Sequence, residues 1–163
     1  MIMLRHLSFL FIVLFCGVVC EKQAVASNDT NGAVPAMQFN DTNQIRVAVY
    51  AYLIKQVIKP PVDSLLFIAA DYDELPSLKA KFPGLVIKPA GDAKIVGNEV
   101  RDKATGTKGT ILAVQWINTT NANQANVHAG YFSGAGVTYD FQLHKNGGWQ
   151  IDKVSKPTVH DVF

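Results

Sequence analysis

His128, Gln142, His144 and Asp152 are the residues whose types and spacing suit chemistry. Imidazole titrates near neutral pH, so it can carry a proton or bind a metal. A carboxylate beside it fixes its orientation. Asn146-Gly147 is a hairpin signal, because a type I′ turn needs positive φ at both central positions. A tight turn there sets Lys145 opposite Gly148 or Trp149. Gln142 and His144 then share a face with Gln150 and Asp152. Across the preceding hairpin, His128 falls near Gln142 and diagonal to His144. Diagonal neighbours on one face stand about 7–8 Å apart, within reach of long side chains. The expectation is a polar ligand-binding patch of His128, Gln142, His144 and Asp152, with no catalytic residue, metal or cofactor assigned. The competing reading is a wet face of an antiparallel sheet, which produces the same alternation by default. A register slip of one residue would dissolve the patch.

Other motifs carry less. Asp71-Tyr72-Asp73-Glu74 crowds three carboxylates at a helix start, where they suit the helix dipole. It lacks the spacing and glycine of a calcium loop. Thr105-Gly106-Thr107-Lys108-Gly109 lacks phosphate-loop spacing and falls between strands, so it reads as a hairpin loop. Tyr50, Tyr52, Trp116, Tyr131, Tyr139 and Trp149 either fill a core or line the mouth of a cavity.

Several elements must position these residues. A helix is expected between the candidate caps Asn40, Asp41 and Thr42 and the stop Pro60-Pro61. Ile45, Ala48, Val49, Tyr52, Leu53, Gln56 and Val57 form its stripe, with Arg46, Tyr50, Lys55 and Lys59 on other faces. Residues 64–70 (SLLFIAA) read as a buried strand. Leu75, Leu78 and Phe82 line a short helix, and 85–88 is a brief extended piece. Strands follow at 95–100, 110–117, 125–132, 138–145 and 149–154. Their core face is expected to hold Leu112, Val114 and Trp116, then Val127, Ala129 and Tyr131, then Tyr139, Phe141 and Leu143, then Trp149 and Ile151. The predicted fold is α+β: a long N-terminal helix packed on a bent antiparallel sheet, preceded by a signal peptide.

The leader sets the address. Arg5 and His6 precede the apolar run at 7–19, and Ala24-Val25-Ala26 is a small-residue exit. These are the parts of a secretory signal peptide. The run is shorter than the roughly 20 residues a membrane span needs. The expected division is a signal peptide at 1–26, a flexible tether at 27–40, one α+β domain at 41–155 and a C-terminal tail at 156–163. Cys16 and Cys20 both lie in the leader, so cleavage after Ala26 leaves a mature chain without thiol chemistry. A lipid anchor through Cys16 or Cys20 is the alternative, although Phe15 and Val19 fit poorly before a lipidated cysteine. The whole chain has 15 Lys and Arg against 13 Asp and Glu, a balance too even for a nucleic-acid surface.

The C-terminal half has a further cadence: Asp102-Lys103-Ala104-Thr105-Gly106, Gly109-Thr110-Ile111-Leu112-Ala113-Val114, Trp116, Ala125-Asn126-Val127, Gly130-Tyr131, Tyr139 and Gly147-Gly148-Trp149. In this it resembles small exported bacterial proteins of unassigned function with a cystatin-like/NTF2-like domain. That resemblance covers residues 95–154 and carries no catalytic motif. It implies a fold and leaves the task open, because such folds host both enzymes and binding modules. The functional expectation is a periplasmic or secreted, non-enzymatic module of the bacterial envelope. Its partner would be a small apolar ligand or an envelope protein, with no nucleic acid and no transmembrane span. The alternative is a periplasmic hydrolase or isomerase using the His/Asp patch.

Overall fold

The structure is a computed structural model that describes residues 39–69 and 74–160. The expected signal peptide, most of the expected tether and both cysteines lie outside these residues. Helix α1 (Phe39–Tyr52) continues as a π-helical stretch, Leu53–Ile58. It closes with an i→i+5 bond of 2.9 Å from the Lys59 N–H to the Ile54 carbonyl, and Lys59 takes the left-handed conformation just before Pro60-Pro61. The buried stripe is Ile45, Val49, Tyr50, Leu53 and Ile54. It is rotated from the expected one, so that Tyr50 is buried and Gln56 exposed.

Nine strands follow among the described residues: β1 (Leu65–Ala69), β2 (Val86–Pro89), β3 (Ala93–Val96), β4 (Glu99–Asp102), β5 (Lys108–Asn121), β6 (Gln124–Phe132), β7 (Gly136–Lys145), β8 (Trp149–Val154) and β9 (Thr158–His160). A second helix, α2 (Glu74–Lys81), lies between β1 and β2. The strand order is β2-β1-β5-β6-β7-β8, with the β3–β4 hairpin joined through β4 to β5 and β9 joined to β7.

This architecture corrects the predicted fold class. The expected long N-terminal helix on a bent antiparallel sheet, cystatin-like or NTF2-like, is absent. In its place stands a large mixed sheet in which β1 runs parallel to both β2 and β5. The physical reason is the β1–α2–β2 unit. A strand followed by a helix returns parallel to where it started, because the crossover carries the chain back along the sheet. Four successive residues of β1, Leu65 to Ile68, are buried, as expected of a strand covered on both faces. The unbroken apolar run was visible in the sequence; its parallel pairing was not anticipated.

One face of the sheet holds the main core. Leu66, Ile68, Leu112, Val127, Ala129, Phe141 and Leu143 pack with the α1 stripe and with Leu75 and Leu78 of α2. On the other face, near β1, Val100 of the β3–β4 hairpin covers Leu65 and Phe67, with Ala93, Ile111 and Phe132 beside them. Lys88 forms an ion pair with the buried Asp102 and ties this hairpin to β2. Asp102 also accepts a 2.8 Å bond from the Ala104 N–H and so shapes the loop into β5. Both effects, with the lysine contact the larger, hold its carboxyl below the usual carboxylate range.

Two long contacts lock α1 to the sheet. The Tyr50 hydroxyl donates to the Ala69 carbonyl at 2.6 Å and accepts from the Val114 N–H at 3.2 Å, satisfying both strands where the β1–β5 ladder ends. Asp41, expected among the helix caps, sits within the first turn and accepts from Lys145 Nζ at 2.6 Å and Trp149 Nε1 at 3.2 Å. The β7–β8 loop is also longer than the expected type I′ turn. Gly147 has positive φ, Asn146 does not, and the Asn146 N–H bonds to the Gly148 carbonyl at 2.9 Å. Lys145 nevertheless faces Trp149. Residues 158–160, placed in the tail by the sequence reading, pair with β7 from Gly136 to Thr138.

Candidate functional site

The β3–β4 hairpin covers only the β1 end of its face. Beyond it, β5, β6, β7 and β8 present a polar surface, and the register places the predicted residues on it. His128 lies opposite Asp140, Asn126 opposite Gln142, and Gln124 opposite His144. Asp140 is thus the immediate partner of His128, joined through Nδ1 to Oδ1 at 2.7 Å. His144 bonds Asp152 in the same way at 2.5 Å. Asp152 is the extra residue of a bulge in β8, since Gln142 faces Lys153 while Leu143 faces Ile151.

The four predicted residues therefore share a face without forming one centre. Four positions of β7 separate Asp140 from His144, about 13 Å along the strand. Each imidazole is held by its own carboxylate. Asp140 and Asp152 are 64% and 50% exposed, so these pairs stand in water. No group of three or more His, Cys, Asp or Glu suited to a metal occurs among the described residues.

Sequence reasoning misplaced Trp116. Expected in the core with Leu112 and Val114, it lies on the open face and is 48% exposed. The cause is a bulge at Gln115. Val114 pairs with Ala129, but Trp116 pairs with His128, so Gln115 has no opposite number. One extra residue inverts the alternation. Ile117 takes the inward place, opposite Val127. The signal was present as the adjacent apolar pair Trp116-Ile117: two neighbours in a regular strand cannot both face one core.

Trp116 stacks on His128, with centroids 5.6 Å apart and planes 11° from parallel. A row therefore crosses three strands as Trp116, His128 and Asp140. The next row is Asn118, Asn126, Gln142 and Lys153. It lies about 7 Å further along the strands. In each of these rows, the polar ends point away from the core.

An open depression of about 290 Å³ lies between α1 and β8, lined by Ala48, Ala51, Tyr52, Lys55, Gln56, Trp149 and Ile151. It is where the sequence reading sought an apolar ligand site, but it is smaller and shallower than the enclosed clefts that bury drug-sized ligands. No described helix is long and apolar enough to cross a membrane.

Comparison with protein-family models, curated proteins and solved structures finds no match to this chain. Functional assignment accordingly rests on its own residues.

Proposed function

We propose that this chain is an exported, non-enzymatic binding module of the bacterial envelope, and that the open face of β5, β6 and β7 is its ligand surface. The observation that carries this is the Trp116–His128–Asp140 row. A half-exposed tryptophan is braced by an imidazole, which is itself fixed by a carboxylate. Such a side chain is ordered before a ligand arrives, which lowers the entropic cost of binding. The leader supports the envelope setting. The hydrolase or isomerase alternative draws no comparable support, because the two His–Asp pairs stand apart in solvent and general acid–base work needs groups converging on one reacting atom.

The test is amide-shift mapping by NMR on the mature chain, titrated separately with polysaccharide, lipid and peptide fractions of a bacterial envelope. One fraction is expected to move signals around Trp116, Asn126 and Gln142. Shifts confined to Ala48, Tyr52 and Ile151, or no shifts with any fraction, would contradict the assignment.

A further inference from the structure

The same face carries enough chemistry to name a ligand class. Its two carboxylates are engaged within the protein: Asp140 is hydrogen-bonded to His128 and Asp152 to His144. In the adjacent row, the side-chain amides of Asn118, Asn126 and Gln142 make no hydrogen bond to any described residue. Each amide offers both donors and an acceptor. A ligand matching the indole and these three uncharged amides has a flat apolar side and, about one sheet row away, hydroxyl or amide groups around its rim.

Access to the indole fits this. His128 covers one side of Trp116. On the other side, β1 pairs with β5 as far as Ala113, and no described strand pairs with β5 beyond it. Among the described residues, this edge of β5 carries no strand beside Trp116.

We infer that the Trp116 row and the neighbouring amide row form a binding platform for a neutral saccharide chain. One pyranose ring lies with its C–H face on the Trp116 indole. Its hydroxyls reach Asn118, Asn126 and Gln142. The succession of rows favours an extended oligosaccharide over a single sugar, because neighbouring rings can each touch a row. Gln124 and Gln150 flank His144 in the row beyond, and extend the polar track. This inference rests on the open-face assignment above and narrows it.

The experiment is a tryptophan-fluorescence titration of the mature chain with three neutral tetrasaccharides: β-1,4-linked glucose, α-1,4-linked glucose and β-1,4-linked N-acetylglucosamine. Trp149 is largely buried, so the variant Trp116→Phe supplies the background signal. Saturable change with at least one tetrasaccharide is expected. The affinity of Trp116→Ala, read by isothermal titration calorimetry because that variant lacks the reporting indole, should be at least about tenfold weaker than the parent's. Asn126→Ala and Gln142→Ala, both outside the core, should each weaken binding several-fold while leaving thermal unfolding in place. Two results would overturn the inference: no saturable change with any tetrasaccharide up to about 10 mM, or equal affinity in Trp116→Ala. If lipid or peptide fractions move the β5–β7 amide signals and no saccharide does, the ligand surface stands and the saccharide assignment falls.

Discussion

The two faces of one sheet are built from the same strands and do opposite work. On the covered face, Leu112, Val127, Phe141 and Leu143 are sealed against α1 and α2. On the open face, their immediate neighbours along the chain, His128, Asp140, Gln142 and His144, stand in water or half in it. Period-2 alternation makes this division possible. The covered face supplies stability through buried apolar area and close packing. The open face contributes little to it, since exposed ion pairs are worth at most about 1 kcal/mol. A surface that carries little stability is free to hold rings and amides for a ligand. The contrast teaches that substitutions separate by face: inward ones should unfold the protein, outward ones should alter what it holds.

The comparison can be broken most easily from the covered side. Phe141 is almost fully buried and meets Tyr52 edge-on at 5.6 Å. Phe141→Ala should cost about 3–5 kcal/mol in urea unfolding. Next comes Gly130→Ala, the exception to the division: by alternation Gly130 points outward with His128, but β6 and β7 approach too closely there to admit a side chain. An added Cβ would lie 2.1 Å from the Val137 carbonyl oxygen and 2.9 Å from Thr138 Cα, both backbone atoms that cannot rotate away. Destabilisation of about 3 kcal/mol is expected. Loss of slow-exchanging amides in β6 and β7 would localise the damage.

Smaller effects sharpen the picture. Tyr50→Phe keeps the buried ring and removes the hydroxyl between Ala69 and Val114. Leaving those backbone groups without it should cost about 1–3 kcal/mol. Acid should act through Asp102. Its carboxyl titrates lower in the folded protein than in the unfolded chain, because Lys88 and the Ala104 N–H favour the ionised form. Its stabilising contribution is therefore complete above the unfolded value of about 3.9 and disappears as pH falls through the lower folded value. Asp41, held low chiefly by Lys145, acts in the same direction. Urea midpoints measured from pH 6 down to pH 2 should drop below about pH 4. Asp102→Asn should flatten that drop.

Much of the covered face was legible in the sequence, and much of the open face was not. The inward residues of β6 and β7 follow plain alternation, so Val127, Ala129, Phe141 and Leu143 could be placed from spacing alone. Pro60-Pro61 marked the end of the helical stretch. The parallel pairing of β1 was hidden, because a run such as LLFIA marks a buried strand without naming its neighbours. The site suffered from two single-residue events. Gln115 turns Trp116 outward, and the β8 bulge sets Lys153 instead of Asp152 opposite Gln142. Register decides which carboxylate meets which imidazole, and bulges change register by one residue at a time. His128 therefore met Asp140, which spacing had not singled out.

The division between faces is tested most directly by one variant that removes the open-face platform while sparing the core: Trp116→Ala, Asn126→Ala and Gln142→Ala combined. Its unfolding free energy and its ligand-induced amide shifts should be measured side by side with those of the parent chain. The account predicts stability within about 1 kcal/mol of the parent, as for surface substitutions generally, together with loss of the shifts. Parent-like shifts in this variant, or collapse of its fold, would contradict it.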